Sequence, residues 1–280
     1  MTGRLVGVRW RGRRRVPTGL VVGGAMLLAA VIAALLGPLL LGGDPQAIHL
    51  DAMLQPPSLA HPFGTDNFGR DVFTRVLHGT AIDLQMGLFL TLPALVLGSA
   101  VGIVSGYRGG LLDALLMRLS DMLQAFPGAI LTIAVVAALG PGFLNLYLAG
   151  AFFGWIGYAR LLRGEVLVVK KLDYVSAARA LGASDRHVVR RHILPHVAVQ
   201  TVIFASSGFI QSILIGSSLG FLGLGAQPPA PEWGLMIAEG RGFLVQAPWM
   251  SAFPGLAIVA VGGAASLVGD GLADMLRPGR

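Results

Sequence analysis

Long uncharged stretches alternate with short basic segments along the chain. Residues 19–43 carry no charged side chain, and neither do residues 122–159. An apolar stretch of about 20 residues can cross a bilayer as a helix. The second stretch is too long for one crossing, and a turn with Gly and Pro at 139–145 divides it. The pattern predicts an all-α membrane protein with six transmembrane helices, near 18–41, 82–106, 113–139, 143–163, 196–225 and 249–270.

The composition supports a membrane protein. The chain has 280 residues, of which 54% are hydrophobic and 12% are charged, whereas soluble domains average about 25% charged residues. The basic start could belong to a secretory signal peptide, but such peptides have an apolar core of about 7–15 residues. We therefore interpret 18–41 as a retained first span. The chain has no cysteine, which excludes disulfides and cysteine ligands.

The distribution of Lys and Arg predicts the orientation. Eighteen of the 21 fall in the tail 1–17, at Arg108 and Arg118 around the turn after the second span, in the segment 160–196 and in the tail 272–280. Cytoplasmic loops are enriched in Lys and Arg, so both termini and the loop 164–195 are expected in the cytoplasm. The net charge of +7 follows from this topology and requires no nucleic acid partner. The segment 42–81 is then extracytoplasmic, and the five remaining spans form a core over 82–271.

Two local patterns add detail to this plan. Gly98, Gly102 and Gly106 recur every four residues in the second span, a spacing that lets helix backbones approach closely in lipid. In the outer segment, Thr65 or Asp66 can cap a short helix that runs through His78. We expect that helix to lie at the membrane interface, either as a packing element or beneath an outer partner.

The polar loop 173–196 has the signals of a short exposed helix. Asp173 can cap it, Tyr174, Ala177, Ala178 and Leu181 form one apolar stripe, and Gly182 suits its end. Ser184 can then cap a second short helix, and Pro195 suits the start of the fifth span. The helix could lie on the membrane surface, but its stripe is small and rich in Ala, whereas membrane anchors use Trp, Phe or Leu. We favour a shallow cleft in another protein.

This loop resembles a family pattern. The segments AARALGA and HILP are similar to the cytoplasmic EAA loop of binding-protein-dependent ABC importer permeases, with Ala177, Ala178, Gly182, Leu194 and Pro195 in register. Ser176 stands in the place of the family's Glu, and His192 in the place of its first Ile. In the family, this loop is the coupling helix that docks on the ATPase subunit. The resemblance implies that Asp173, Tyr174, Leu181 and the matched residues contact an ATPase.

Three further segments resemble the dipeptide, oligopeptide and nickel branch of that family. They are HPFGTDNFGRDVFTRVLHG at 61–79, SSLGFLGLGAQPPAPEWG at 217–234 and VGDGLADMLRP at 268–278. The resemblance extends from about residue 60 to the C-terminus and is closest to the C-type permease subunit of dipeptide importers.

The resemblance implies a permease subunit of an ATP-driven importer of dipeptides or short oligopeptides in the bacterial inner membrane. Its partners would be a second homologous permease, two ABC ATPases that hold ATP and Mg, and an extracytoplasmic peptide-binding protein. The same role for nickel or another small solute is an alternative, and an ion-coupled secondary transporter is a rival from another class. The sequence has no GxxxxGK[ST] phosphate loop, so we expect no enzyme activity, catalytic residue, metal or cofactor in this chain.

Two sets of polar residues are candidates for further roles. Ser207, Gln211 and Ser218 belong to the most polar span and could line a translocation path, or could bond within their own helix. Glu232, Trp233 and Arg241 follow on the outer loop and could contact the binding protein.

Overall fold

The computed structural model describes residues 16–41 and 43–276. Their regular structure is helical, apart from one isolated β-bridge between Thr65 and Asp71. The α-helices are α1 Thr18–Leu41, α2 Val72–Arg108, α3 Gly110–Gln124, α4 Gly128–Leu139, α5 Phe143–Val169, α6 Asp173–Ala180, α7 Asp185–Val188, α8 Leu194–Phe221, α9 Trp233–Gly240 and α10 Trp249–Leu276. Short 3₁₀ turns lie at Leu50–Ala52 and Arg241–Phe243, and a π-helical turn at Val189–Ile193 leads into α8. The predicted cytoplasmic location of the two tails depends on arginines at 4–15, 277 and 280, and these lie outside the described residues.

The outer segment differs from the prediction. No separate interfacial helix runs from Thr65 or Asp66 to His78. The helix in this region is α2, and its N-cap is Asp71, whose side chain accepts the Thr74 N–H at 2.7 Å. The helix then continues without a break into the predicted second span and ends at Arg108. At 1.5 Å per residue, its 37 residues measure about 55 Å, whereas the hydrocarbon core is about 30 Å thick. Helix α2 is therefore longer than one perpendicular crossing of that core requires.

The predicted third span, 113–139, is not one helix. It is divided into α3 and α4, which meet at 82°. The break lies at Ala125–Pro127, and Pro127 explains it, because proline lacks an N–H and disfavours helical geometry at the residue before it. A helix is present at each of the other five predicted positions. Within the described residues, four helices are long and apolar enough to cross a membrane, or five if α3 and α4 count as one broken span.

Helix α5 is not among these helices. It is long enough, with 27 residues, but it is less apolar over the length of a span. It carries Asn145 at its start and Arg160, Arg163 and Glu165 toward its end. Two of these charges are paired within the chain: Arg160 lies 2.5 Å from Asp121 and Arg163 lies 2.6 Å from Asp113, both on α3. Helix α5 packs along α2 for most of its length. One part of its apolar surface is therefore buried against α2, and another part is exposed.

The predicted glycine stripe lies at the α2–α5 contact. A Cβ built on Gly98 would overlap the Trp155 carbonyl, and one on Gly102 would lie 2.5 Å from the Ala159 carbonyl oxygen. The missing side chains let the two backbones approach, as the spacing predicts. Three buried apolar clusters complete the core. One joins α2, α8, α9 and α10 near Trp233, one joins α2, α4 and α5 near Leu146, and one surrounds Val175 at the 164–195 loop.

Candidate coupling surface and translocation cavity

The helix at 173–180 is built largely as the sequence predicts. Gly182 has φ 84°, and the Ala183 N–H bonds to the Ala178 carbonyl at 3.0 Å, which ends the helix in the left-handed geometry that glycine favours. Ser184 caps α7 by accepting the His187 N–H at 3.4 Å, and Pro195 lies in the first turn of α8. The prediction that Asp173 caps the helix is wrong by one residue. The N-cap is Leu172, and Asp173 lies in the first turn, where a carboxylate favours the helix dipole.

One side of α6 is anchored in the bundle. The Val175 side chain is fully buried, and it packs in a cluster that contains Val169 from α5, Val188 from α7, and Ile193 and Val197 around the start of α8. Sequence analysis missed this face because it considered only the larger stripe. Val175 therefore joins α6 to the ends of both helices that flank the loop.

The predicted stripe lies on the other side and is exposed. Tyr174 is 46% exposed and Leu181 is 89% exposed, while Ala177 is exposed and Ala178 half-buried. Leu181, Ala178 and Gly182 line a shallow hollow with Ser184 and His187. The surface offered to a partner is thus small, apolar and held by a buried anchor behind it.

Polar contacts tie the same loop to the end of α2. Lys170 Nζ donates to the Gly106 carbonyl at 2.7 Å, and the Tyr107 hydroxyl donates to Asp185 at 2.5 Å. The Arg179 guanidinium lies 5.0 Å from the centre of the Tyr107 ring, within the range of a cation–π contact. These contacts fix the loop against α2 as well as against α5 and α8.

A cavity of about 490 Å³ lies between α2, α4, α5 and α8. Ser207 and Gln211 line it, and Thr91 and Ser212 line it as a hydrogen-bonded pair with 2.9 Å between their hydroxyl oxygens. No charged side chain of the described residues contributes to its wall. Ser218 lies outside this cavity, about two turns farther along α8, and its hydroxyl donates to the Leu214 carbonyl of its own helix at 2.6 Å. The structure thus brings Ser207 and Gln211 together and separates Ser218 from them.

A family model described as "binding-protein-dependent transport system inner membrane component" matches residues 98–280. The chain belongs to this family. The resemblance expected from the loop at 173–196 is therefore confirmed, and the permease is a multi-pass inner-membrane component.

Its relatives are named as peptide or glutathione permeases. The glutathione transport system permease protein GsiD of Pectobacterium atrosepticum is 46% identical over 228 residues, 81% of this chain and 76% of that protein. The dipeptide transport system permease protein DppC of Alkalihalophilus pseudofirmus is 39% identical over 92% of this chain and 85% of its own length. The probable D,D-dipeptide transport system permease protein DdpC of Escherichia coli is 42% identical over 92% of this chain and 87% of its own length.

A solved structure shares the fold. A chain of the MetNI methionine ABC transporter, in an inward-facing crystal form, matches 73% of this permease and 98% of that chain, with a TM-score of 0.62 and 18% identity. At this identity, the likeness speaks for the fold alone.

The segment between α8 and α10 corrects the expectation for Glu232 and Trp233. Both are buried, with 0% and 1% exposure, so neither can contact a binding protein in this conformation. Glu232 caps α9 by accepting the N–H groups of Gly234 and Leu235, each at 2.7 Å, and Trp233 Nε1 donates to the Val76 carbonyl at 3.0 Å. Arg241 is exposed, with its guanidinium 5.8 Å from the Phe221 ring centre. Only Arg241 of the three remains available to a partner.

A buried ionic network holds the outer segment against α9. Asp66 accepts from Arg70 Nε at 2.5 Å and from Arg75 at 2.6 Å, and Glu239 lies 3.0 Å from Arg70 and 2.9 Å from Arg75. Arg70 and Arg75 are 4% and 1% exposed. This explains why Asp66 does not begin a helix: its carboxylate is held by two guanidinium groups and by the backbone N–H groups of Phe68 and Arg70.

The sequence patterns also did not single out Asp83, which is fully buried about three turns into α2. Its carboxyl accepts from the Ser217 hydroxyl at 3.2 Å and from the Trp233 N–H at 3.1 Å. A single acid within an otherwise apolar span is a signal that could have identified it, because ionisable residues in such spans are rare and face the bundle interior.

Proposed function

We propose that this permease is a transmembrane subunit of an ATP-driven importer of dipeptides or short oligopeptides. The observation that carries the proposal is the exposed apolar stripe of α6, backed by the buried Val175 anchor. Relatives named as glutathione, dipeptide and D,D-dipeptide permeases, each matched over more than 80% of the chain, support the substrate class. The partners are a second homologous permease, two ATPases that bind ATP and Mg, and an outer peptide-binding protein. The chain crosses the membrane six times, with α3 and α4 together as the third crossing and both termini in the cytoplasm.

The geometry supports a mechanical role for the 164–195 loop. An ATPase that holds Tyr174, Ala177 and Leu181 pulls on a helix whose opposite side packs on α5 and α8. Closely packed interiors transmit displacement because they contain few voids. Helices α5 and α8 both line the cavity, so movement of the loop changes the shape of that cavity. Energy thus enters from the ATPase and is used at the translocation path.

The cavity wall suits passage rather than tight binding. Because its described lining lacks charged groups, the charged ends of a peptide find no fixed ion-pair partner there and keep their water. Hydroxyl and amide groups of Ser207 and Gln211 can hydrogen bond to peptide groups and release them. A polar contact of this kind contributes about 0.5–1.5 kcal/mol net, which is weak enough for release. Ser218 lies farther along α8 and bonds to its own helix, so we assign the polar lining to Ser207 and Gln211.

Reconstitution tests the proposal. The permease is placed in proteoliposomes with its partner permease and ATPases, and ATP hydrolysis is measured with and without binding protein and dipeptide. We expect stimulation by the binding protein loaded with dipeptide, and uptake that requires ATP. Uptake driven by an ion gradient without the ATPases would refute the importer role. A nickel chelate in place of the dipeptide separates the two substrate classes.

A matched pair of variants tests the docking surface. Ala177→Asp places a charge in the stripe, and Ala180→Asp places the same charge on the exposed flank of α6 outside the stripe. We expect Ala177→Asp to reduce ATPase binding by at least about tenfold, because an unpaired charge at a protein interface costs several kcal/mol, and Ala180→Asp to have a much smaller effect. Equal effects of the two variants would contradict docking through the stripe.

A further inference from the structure

Two acidic side chains meet in the interior at the outer end of the bundle. Asp83 of α2 and Glu232, which caps α9, are both 0% exposed. Asp83 accepts the N–H of Trp233, the residue that follows Glu232, at 3.1 Å, so the two carboxyl groups lie close together. A hydrogen bond between two carboxyl groups requires a proton, because a carboxylate oxygen can only accept.

The surroundings supply donors but no cation. Asp83 accepts from Ser217 of α8 and from the Trp233 N–H, and Glu232 accepts from the Gly234 and Leu235 N–H groups at the start of α9. Among the described residues, the titratable groups that act on the pair or respond to it are the two acids themselves and Tyr147 of α5. Within the described part of the chain, no Lys, Arg or His forms an ion pair with either acid, so a second negative charge here would have no ion-pair partner.

The packing leaves little room for water to provide that compensation. A Cβ on Gly220 would overlap the Glu232 carboxylate, and a Cβ on Gly234 would overlap the Ser217 carbonyl. The position of the negative charge follows from the donors. Glu232 accepts two N–H groups at a helix N-terminus, which stabilises its ionised form, so Asp83 is the member that carries the proton. Burial is the largest influence on Glu232 and raises its pKa.

The pair lies where α2, α8 and α9 are held together. On the side facing the cavity, Met86 packs against Gly216, and Thr91 bonds to Ser212. Asp83 precedes Leu90, the first cavity-lining residue of α2, by seven residues, or about 10 Å along the helix. Helix α8 runs from this point to the 164–195 loop. Contacts of the Asp83–Glu232 pair therefore hold the end of α8 that is opposite to the loop.

We propose that Asp83 and Glu232 share one proton and that this singly protonated pair positions α9 against α2 and α8, closing the bundle on the outer side of the cavity. Asp83 acts as a positioning residue through Glu232 and the Trp233 N–H. When the shared proton leaves, two adjacent carboxylates repel each other without a counter-ion, and α9 separates from α2. The claim does not depend on the transported solute, so its test needs only the purified chain.

The test is the pH dependence of unfolding in the full-length chain in detergent or nanodiscs. Wild type is compared with Asp83→Asn, which supplies an N–H donor to Glu232 at every pH. Two carboxyl groups at one site titrate far apart, and each pH unit through the second ionisation changes the equilibrium up to about tenfold. We expect the wild-type unfolding rate to rise at least about tenfold on the alkaline side, and the rate of Asp83→Asn to change less than about twofold.

Glu239→Gln is the matched control. Glu239 lies on the same outer helix, but it is ion-paired with Arg70 and Arg75, so its amide should leave the alkaline loss in place. Infrared spectroscopy gives a second readout, since a protonated carboxyl has a carbonyl band that a carboxylate lacks. We expect this band at neutral pH in wild type and in Glu239→Gln, and its loss in Asp83→Asn.

If Asp83→Asn does not fold, Glu232→Gln provides the same test, because its amide donates to an ionised Asp83 and should also flatten the profile. An alkaline slope that persists in the folded amide variants, or an infrared spectrum without a protonated carboxyl in wild type, would overturn the shared proton.

Discussion

Removing the buried anchor of α6 should weaken the packing of this helix on the bundle and leave its exposed stripe, the proposed ATPase-binding surface, unchanged. Val175→Ala deletes two methyl groups from a fully buried site. Transfer alone contributes about 0.8 kcal/mol per group, or about 1.6 kcal/mol, and the cavity left behind can raise the loss to about 3 kcal/mol. At 1.4 kcal/mol per factor of ten, local opening of α6 should become roughly 15 to 140 times more frequent.

Amide hydrogen exchange of the segment 173–181 measures this opening directly. We expect its protection to fall by that factor in Val175→Ala, while the core of α2 keeps its protection. In the reconstituted transporter, ATP hydrolysis should continue with fewer solute molecules imported per ATP, because the ATPase then moves a loosened helix.

Tyr174→Ala is the control, since Tyr174 is 46% exposed whereas Val175 is fully buried. It should leave exchange in 173–181 within about twofold of wild type and weaken ATPase binding. Unchanged protection in Val175→Ala would refute the reasoning, and so would loss of protection in Tyr174→Ala.

Three further predictions concern the bundle. Gly98→Ala should lower the thermal unfolding temperature, since its Cβ would overlap the Trp155 carbonyl, whereas Gly24→Ala, which has open space, should leave it unchanged or raise it. Glu239→Ala should cost about 1–3 kcal/mol in denaturant unfolding, because Arg70 and Arg75 then share Asp66 alone; a cost below about 0.5 kcal/mol would contradict the network. Gln211→Leu should change the uptake rate without changing ATPase binding in a pull-down, and an altered affinity for the ATPase would argue against a role confined to the cavity.

The 164–195 loop shows what local sequence can predict. The end of α6 at Gly182, the cap at Ser184 and the start of α8 at Pro195 depend on backbone geometry within a few residues, and the structure has all three. Asp173 is displaced by one position, since Leu172 and Asp173 both suit the first turn and helix ends shift by a residue at little cost. The break in the third predicted span also had a local cause in Pro127, which the charge-free pattern concealed.

The sequence by itself determined the helical membrane architecture, the close packing of α2 through its glycine stripe, and the position of the exposed stripe at 174–181. These follow from periodicity, charge and caps, which are properties of neighbouring residues. Only the tertiary structure decided that Glu232 and Trp233 are interior, that Val175 is an anchor, and that Asp83 accepts the Trp233 N–H across 150 residues of chain. The physical reason is that burial and ion pairing depend on which distant segments pack together, and that arrangement is set by the whole bundle.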